Sequence, residues 1–144
     1  MTGRLFAWIL FSGWLVCSPV ADAVAMSGYK WKYRPLVVFA GEAEASGLTR
    51  QEAIVASLRP AFIDRRIVVI TVIGENVSAD LGPPPTMSAA ALRMRFGVAP
   101  GVFKVVLVGK DGGVKLASTR PIAGRTLFAT IDAMPMRQDE VRRR

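Results

Sequence analysis

The 144-residue sequence contains no histidine and a single cysteine, Cys17, and these two scarcities exclude many kinds of chemistry. Histidine and cysteine are the usual protein ligands of zinc, copper and haem iron. Histidine is also the commonest general base near neutral pH, so no Ser–His or Cys–His nucleophile pair is available. An enzyme on this chain would need carboxylate, Lys, Arg, Tyr or Ser side chains, or a borrowed cofactor; the residues themselves predict no cofactor and no metal site.

The first 25 residues are typical of a secretory signal peptide. Arg4 provides the positive charge, and an apolar run extends from Leu5 to Val16. Small residues at the positions read by signal peptidase predict cleavage after Ala25, with Ala23 as the alternative. The protein is then exported, periplasmic or secreted. The other interpretation is an N-terminal membrane anchor, although the apolar run is shorter than the roughly 20 residues that span a bilayer.

Cleavage would also remove Cys17, which leaves residues 26–144 without any cysteine. A chain without a thiolate cannot be a thiol oxidoreductase or a thiol peroxidase. It also cannot use the disulfides that stabilise many small exported proteins. We expect one domain and no transmembrane domain after cleavage.

Positive charge dominates, with 19 Lys and Arg against 11 Asp and Glu and a net charge of +8. Such a field favours anionic partners such as phospholipid head groups, acidic polysaccharide or nucleic acid. Export argues against nucleic acid, which leaves an envelope protein or an anionic envelope component as the expected partner. A basic surface without a specific partner is the alternative.

Patterning predicts an α/β domain of four strands and three helices. Unbroken apolar runs bounded by Pro and Gly are typical of strands buried on both faces. Residues 49–52 match a capping box, which predicts a helix from Thr49 to Pro60. Residues 74–87 are predicted to be a long loop. The predicted strands are 36–40, 67–73, 103–108 and 114–118, and the remaining helices are 88–96 and 126–134.

This order, β-α-β-α-β-β-α, predicts a thioredoxin-like domain with a central four-stranded mixed sheet flanked by helices. The first connections are expected to be right-handed parallel crossovers, and the last two strands a hairpin. Residues 26–35 form a lead-in segment whose alternation would place Tyr29, Trp31 and Tyr33 on one face if it is extended. Those aromatic side chains would pack on the domain or dock on membrane or sugar. Residues 135–144 follow as a basic tail.

The C-terminal half resembles the second half of thioredoxin, through Phe96-Gly97-Val98, the strand 103–108 and the turn after it. On this alignment the Cys-x-x-Cys position falls on Glu44-Ala45-Ser46-Gly47, where no cysteine is present. The position of the thioredoxin cis-proline falls on Val102. The resemblance implies a redox scaffold that lacks its redox pair.

A second resemblance rests on segments that span nearly all of the chain after residue 25. They contain Trp31, Lys32, Tyr33, Arg34, Asp64, Asp111, Gly112, Asp132, Pro135 and Arg137. With these residues the sequence resembles an uncharacterised family of exported bacterial proteins, DUF4174 (a domain of unknown function). That family is similar to domains in animal matrix proteins that carry sushi repeats. The resemblance implies a thioredoxin-like fold and no established activity.

The candidate binding surface is the corner where a thioredoxin has its active site. The loop after the first strand and the loop before the third would meet there beside a helix N-terminus, which attracts anions. Glu42 and Glu44 lie in this region, and Glu52 would complete the helix cap. They could bind a cation or act as general acid and base, or be ordinary loop and cap carboxylates.

Three arginine clusters extend the candidate surface. They are Arg65-Arg66, Arg93 with Arg95, which we expect to extend outward, and the terminal 142–144 run. Arginine grips carboxylate or phosphate with two hydrogen bonds. Separate clusters of this kind are also common on solvated faces, and a terminal run is commonly disordered.

Three hypotheses about function follow. The first is a non-redox, non-catalytic binding module of the bacterial cell envelope. The second is a non-thiol enzyme of unknown reaction at the former thioredoxin active-site corner, centred on Glu42, Glu44 and the 74–87 loop. The third is a peripheral binder of anionic lipid or polysaccharide that uses residues 29–34 and the arginine clusters.

Overall fold

A computed structural model describes residues 26–43 and 45–144, which fold into a five-stranded mixed sheet with helices on both faces. The strands are β1 (Arg34–Ala40), β2 (Ile67–Ile73), β3 (Asn76–Asp80), β4 (Lys104–Val108) and β5 (Val114–Ser118). The helices are α1 (Ser46–Ser57), α2 (Arg59–Asp64), α3 (Ala89–Phe96), α4 (Gly124–Asp132) and α5 (Pro135–Arg142). The predicted signal peptide and Glu44 lie outside the described residues.

Strand β1 is the centre of the sheet, whose order is β3-β2-β1-β4-β5. Every residue of β1 is buried, as expected for an apolar strand covered on both faces. It pairs parallel to β2, with Arg34 opposite Ile67, and antiparallel to β4, with Leu36 opposite Leu107. The expected parallel arrangement therefore holds for the first connection only, because β4 runs in the opposite direction.

Two apolar cores lie on the two faces of the sheet, as the alternation of side chains along β1 requires. Val37 and Phe39 face one core, where α3 and the segment before β1 pack. Leu36 and Val38 face the other core, where α1, α2 and α4 pack. Helices on both faces explain why the chain can form two cores without a disulfide.

The prediction of a long loop over residues 74–87 is wrong, since β3 occupies its first half. Strand β3 pairs antiparallel with β2, and only Gly74 and Glu75 separate the paired residues Ile73 and Asn76. Gly74 has a φ of +54°, a conformation that glycine adopts without strain. Residues of β3 are exposed or half-buried in alternation because it is an edge strand, and its polar composition hides it in the sequence.

The predicted boundaries of the first helix are also wrong. Helix α1 begins at Ser46, and the Thr49 hydroxyl donates to the carbonyl of Ala45 instead of capping the helix. Glu52 therefore lies exposed within the helix and completes no cap. Pro60 does not end the helical region but lies in the first turn of α2, where its missing N–H has no partner to lose.

The two ends of the described chain differ from the predicted lead-in and tail. Residues 26–32 form turns, which bury Tyr29 and leave Trp31 60 % exposed, so the extended alternation is wrong. Burial raises the pKa of Tyr29 to about 12, and its hydroxyl donates to the carbonyl of Pro83. At the other end, Pro135 opens a further helix, α5, which packs Arg137 inside. No helix in residues 26–43 and 45–144 has the length and apolarity needed to cross a bilayer.

Candidate functional site

The corner predicted to be the binding surface is closed by backbone contact. A Cβ atom on Gly41, after β1, would lie 2.9 Å from the Cα atom of Gly101, in the loop before β4. The two loops therefore meet as expected, but they leave no room between them at this point. Glu42 is exposed, and its carboxylate has no partner among the described residues. Within the same residues, no group of three or more acidic side chains could hold a metal ion.

The prediction that Arg93 extends outward is wrong. Its side chain is 8 % exposed, donates to the carbonyl of Gly74 and lies 3.5 Å from the Glu75 carboxylate. It thereby holds the turn between β2 and β3 against α3. Arg95 is half-buried, with its guanidinium 5.6 Å from the centre of the Phe96 ring. Arg93 therefore has a structural role.

Charged residues converge instead at the opposite end of the sheet, where the central strand β1 begins. Arg34 is fully buried there and contacts Glu140 at 3.1 Å, and Lys110 contacts the same carboxylate at 2.6 Å. The seven residues of β1 span roughly 20 Å and separate this end of the sheet from the closed corner. Arg137 lies 3.7 Å from Glu140 and joins this group to a second group of ion pairs. We call the connected set the ion-pair network; it comprises Arg34, Asp64, Arg65, Lys110, Asp132, Arg137, Glu140 and Arg144.

The second half of the network joins α2, α4 and α5. Arg137, with a side chain 5 % exposed, contacts Asp64 and lies 3.3 Å from Asp132. Arg65 contacts Asp132 at 2.7 Å and stacks 4.3 Å from the centre of the Phe128 ring. The Arg65-Arg66 pair is therefore not one solvated cluster, since the two side chains have different surroundings.

The carboxylates of the network have pKa values below their usual range. A hydrogen bond from Arg144 holds the pKa of Asp64 below its usual value, and a hydrogen bond from Arg65 does the same for Asp132. Burial works in the other direction on the pKa of Glu140, but hydrogen bonds from Arg34 and Lys110 outweigh it and leave that pKa lowered. These three carboxylates are thus charged throughout the neutral range.

A cleft of about 520 Å³ opens beside the network, and we call it the basic cleft. It is lined by Trp31, Lys32, Tyr33, Arg66, Lys110, Glu140, Arg143 and Arg144. The backbone N–H of Trp31 donates to the carbonyl of Lys110 at 2.7 Å, which ties the segment before β1 to the β4–β5 turn. Five cationic side chains and one carboxylate therefore share one concave surface with an exposed indole ring.

Three of these cations are available to a ligand. In the part of the chain that the structure describes, Lys32, Arg66 and Arg143 are exposed and pair with no carboxylate. The backbone is strained at two of the lining residues, since Trp31 and Arg66 have φ values of +67° and +54°. Such strain in residues other than glycine costs of the order of 1–3 kcal/mol and is commonly found at functional sites.

Residues 25–140 match the family described as a domain of unknown function, DUF4174. The chain belongs to this family. No solved structure matches it.

Most residues that carry the family resemblance lie together at the end of the sheet where β1 begins. Trp31, Lys32 and Tyr33 line the basic cleft, whereas Arg34 and Arg137 belong to the network. Asp64 and Asp132 also belong to the network, and Gly112 has the positive φ of the β4–β5 turn. Sequence reasoning missed Lys110 and Glu140, whose only signal was their position within or beside the family segments.

Proposed function

We propose that the protein is a non-catalytic binding module of the cell envelope that uses the basic cleft to bind acidic polysaccharide. The observation that carries this proposal is the convergence of three unpaired cations, Lys32, Arg66 and Arg143, around the exposed ring of Trp31. Arginine and lysine bind carboxylate or phosphate groups, and an exposed indole ring offers an apolar face to a sugar ring. A ligand with alternating sugar rings and negative charges fits both features.

The shape of the site favours a polysaccharide over a lipid surface. The cationic groups line a concave cleft, whereas a bilayer presents a broad surface that calls for several exposed apolar anchors. Trp31 is the single large exposed hydrophobic residue that lines the cleft. Others among the described residues, such as Ile63 and Met94, are not among the residues that line it.

A thioredoxin-like fold is part of the same proposal. Its support is that a helical connection joins the parallel strands β1 and β2, while the β4–β5 hairpin extends the sheet on the other side of β1. Strand β3 would be an addition at the β2 edge. Without a cysteine after residue 25, such a scaffold would serve for binding instead of thiol chemistry.

Export to the cell envelope is the third part of the proposal, and the position of the mature protein's N-terminus tests it. We expect mass spectrometry of protein recovered from the envelope fraction to show a chain that begins at Met26, or at Val24 if cleavage follows Ala23. An intact N-terminus in protein held in the membrane would instead indicate an anchor. Recovery only from the cytoplasm would contradict an envelope function.

Fluorescence of Trp31 tests the binding proposal directly. In protein cleaved after Ala25, Trp31 is the only tryptophan. We expect a soluble uronic-acid polysaccharide to change its emission, an effect that added salt weakens because exposed charges are screened. Arg143→Ala should weaken binding about fivefold, which corresponds to roughly 1 kcal/mol for an exposed charge contact. Arg125→Ala is the matched control, since it removes an exposed arginine that does not line the cleft.

Vesicles provide the competing arm of the same experiment. Phosphatidylglycerol vesicles should bind much more weakly than the polysaccharide at equal charge concentration. Tight vesicle binding together with no response to polysaccharide would replace the proposed ligand with a lipid surface. Equal effects of Arg143→Ala and Arg125→Ala would show that the basic cleft is not the binding site.

A further inference from the structure

A groove of about 760 Å³ lies beside β5, an edge strand of the sheet, and we propose that it binds an extended acidic segment of a partner protein. We call it the β5 groove. Its lining includes Arg50 and Ile54 of α1, residues 116–118 of β5 and residues 120–123, which connect β5 to α4. None of these residues lines the basic cleft, so the inference goes beyond the proposed function.

Strand β5 forms one side of this groove and can pair with a further strand. It pairs with β4 on one side, and the part of the sheet that the structure describes has no strand on the other side. The N–H and C=O groups along such an edge are a template for one more strand. An extended peptide completes that ladder through its own backbone, whereas a sugar chain has no matching row of N–H and C=O groups.

The two edges of the sheet differ in their protection against such pairing. The exposed positions of β3, at the other edge, are all polar, and one of them is the charged Asp80. Charged side chains commonly protect an edge strand from a partner. The one charged residue of β5, Lys115, pairs with Asp111 at 2.7 Å and does not line the groove. Residues 116–118 are uncharged, which leaves this part of the edge open to a partner strand.

The groove also offers apolar surface to the side chains of an added strand. Ile54, Leu116 and Pro121 are half-buried in its lining, so part of each side chain is accessible. Leu116 packs on the face of the sheet that α1, α2 and α4 cover. Side chains alternate between the two faces of a sheet, so every second residue of an added strand would point to this face. A segment with apolar residues at alternate positions therefore fits the groove.

The charge of the groove selects an acidic segment. Arg50 and Arg120 are exposed, and within residues 26–43 and 45–144 neither guanidinium pairs with a carboxylate. Among the same residues, no acidic side chain lines the groove. Arginine binds carboxylate groups with two hydrogen bonds, so glutamate or aspartate in the added strand would balance both charges. A second copy of this chain fits less well, because its β5 contains no acidic residue and would bring more arginine side chains to the groove.

Fluorescence anisotropy of a labelled synthetic peptide tests this inference on protein expressed from the whole chain. The probe is a short peptide in which glutamate alternates with valine. We expect it to bind, whereas the same peptide with lysine in place of glutamate should not, because the arginine side chains repel it. Equal binding of the two peptides would overturn the proposal.

Single arginine variants locate the bound peptide. Arg50→Ala and Arg120→Ala should each weaken binding of the glutamate peptide about fivefold, as expected for an exposed charge contact. Arg125→Ala removes an exposed arginine that does not line the β5 groove, so it should leave the affinity nearly unchanged. A loss in Arg125→Ala as large as in the other two variants would show that the peptide responds only to the overall positive charge.

Hydrogen exchange of the unmodified protein tests strand addition itself. The glutamate peptide should slow the exchange of backbone N–H groups in residues 114–118 and leave residues 76–80, at the other edge, unchanged. Slower exchange at 76–80 alone, or at neither edge, would refute the added strand. Slower exchange at 114–118 with the uronic-acid polysaccharide, and none with the peptide, would instead make the β5 groove a sugar site. The same protection at high protein concentration without peptide would replace the peptide with a second copy of the chain.

N-methylated peptides show whether the backbone of the probe takes part. One version has a methyl group on every valine nitrogen and the other on every glutamate nitrogen, so each lacks the N–H groups along one edge. At least one version should bind about tenfold more weakly than the unmodified peptide, because it cannot complete the ladder with β5. Unchanged affinity of both versions would show that only the side chains bind, which would overturn the proposed strand.

Discussion

Arg34, fully buried at the start of β1, donates two hydrogen bonds to the carboxylate of Glu140, which lies 106 residues later in the last helix. The pair joins the central strand of the sheet to α5, and Lys110 adds the β4–β5 turn to the same carboxylate. The C-terminal helix is therefore fixed to the domain by charge as well as by packing. This connection positions Arg143 and Arg144 at the basic cleft.

Replacement of Glu140 by Gln is expected to destabilise the fold by about 3 kcal/mol. The change leaves Arg34 buried without its counter-charge, and removal of one partner of a buried ion pair is strongly destabilising. Urea unfolding at neutral pH measures the loss. Glu42→Gln makes the same chemical change at an exposed carboxylate without a partner and should shift stability by less than about 0.5 kcal/mol. Similar losses of stability in the two variants would show that the Arg34–Glu140 pair stabilises the fold no more than an exposed carboxylate does.

The network also predicts how stability depends on pH. The pKa values of Asp64, Asp132 and Glu140 are lowered in the folded protein, so the unfolded chain takes up protons first as the pH falls. Their contribution is therefore complete above the ordinary carboxyl pKa of about 4 and is lost as the pH falls through the lowered values. Unfolding by urea at a series of pH values should show this decline below about pH 5, with a smaller decline in Glu140→Gln. A flat profile down to pH 2 would contradict it.

Gln51 forms a second structural anchor, on the face of the sheet that α1, α2 and α4 cover. Its side chain is fully buried on α1, accepts from the N–H of Ile122 at 2.7 Å and donates to the Ile122 carbonyl at 3.3 Å. Gln51→Ala should cost about 3 kcal/mol, because it leaves two buried backbone groups without partners. Glu52→Ala, one residue further along α1 and exposed, is the control and should be nearly neutral. Chemical unfolding of both variants compares them.

Local sequence signals predicted the elements that local physics controls. Helix α3 begins after Ser88, whose hydroxyl accepts from the Ala91 N–H, and ends at Gly97 with a φ of +61°, as a polar N-cap and a glycine C-cap predict. Strands β1, β2 and β4 follow from apolar runs bounded by turns, and β5 follows from the tight hairpin turn that precedes it. Strand β3 was not predictable in this way, because an edge strand keeps polar side chains and pairs through its backbone.

Proline was the main source of error at the helix ends. Pro60 and Pro135 were each interpreted as the end of a helix, although each lies in the first turn of the next one. Proline suits both positions, because it ends one helix and has the φ that begins another. Only tertiary packing decides whether a new helix follows the proline. For α5 that packing includes the buried side chain of Arg137.

The site was harder to predict than the fold, because its contacts join distant parts of the chain. Arg137 and Asp64 are 73 residues apart, and no spacing rule connects them. The resemblance to thioredoxin predicts a binding surface at the corner near Glu42, because a thioredoxin has its active site there. The family segments, by contrast, contained most of the network and part of the basic cleft, so resemblance carried more information about location than about activity.

Arg66→Gly is expected to raise stability and weaken binding at the same time. Arg66 has a φ of +54°, which costs a residue with a Cβ atom roughly 1–2 kcal/mol and glycine almost nothing. Its side chain is exposed and unpaired among the described residues, so its removal should leave a net gain of about 0.5–1 kcal/mol after the added flexibility of the unfolded chain. Polysaccharide binding should fall about fivefold because the cleft loses a cation. Arg66→Asn, which tolerates this φ better than arginine, should lose binding equally and gain less stability. Urea unfolding and Trp31 fluorescence measure the two effects, and a variant that is less stable yet binds normally would show that the strained backbone does not serve the cleft.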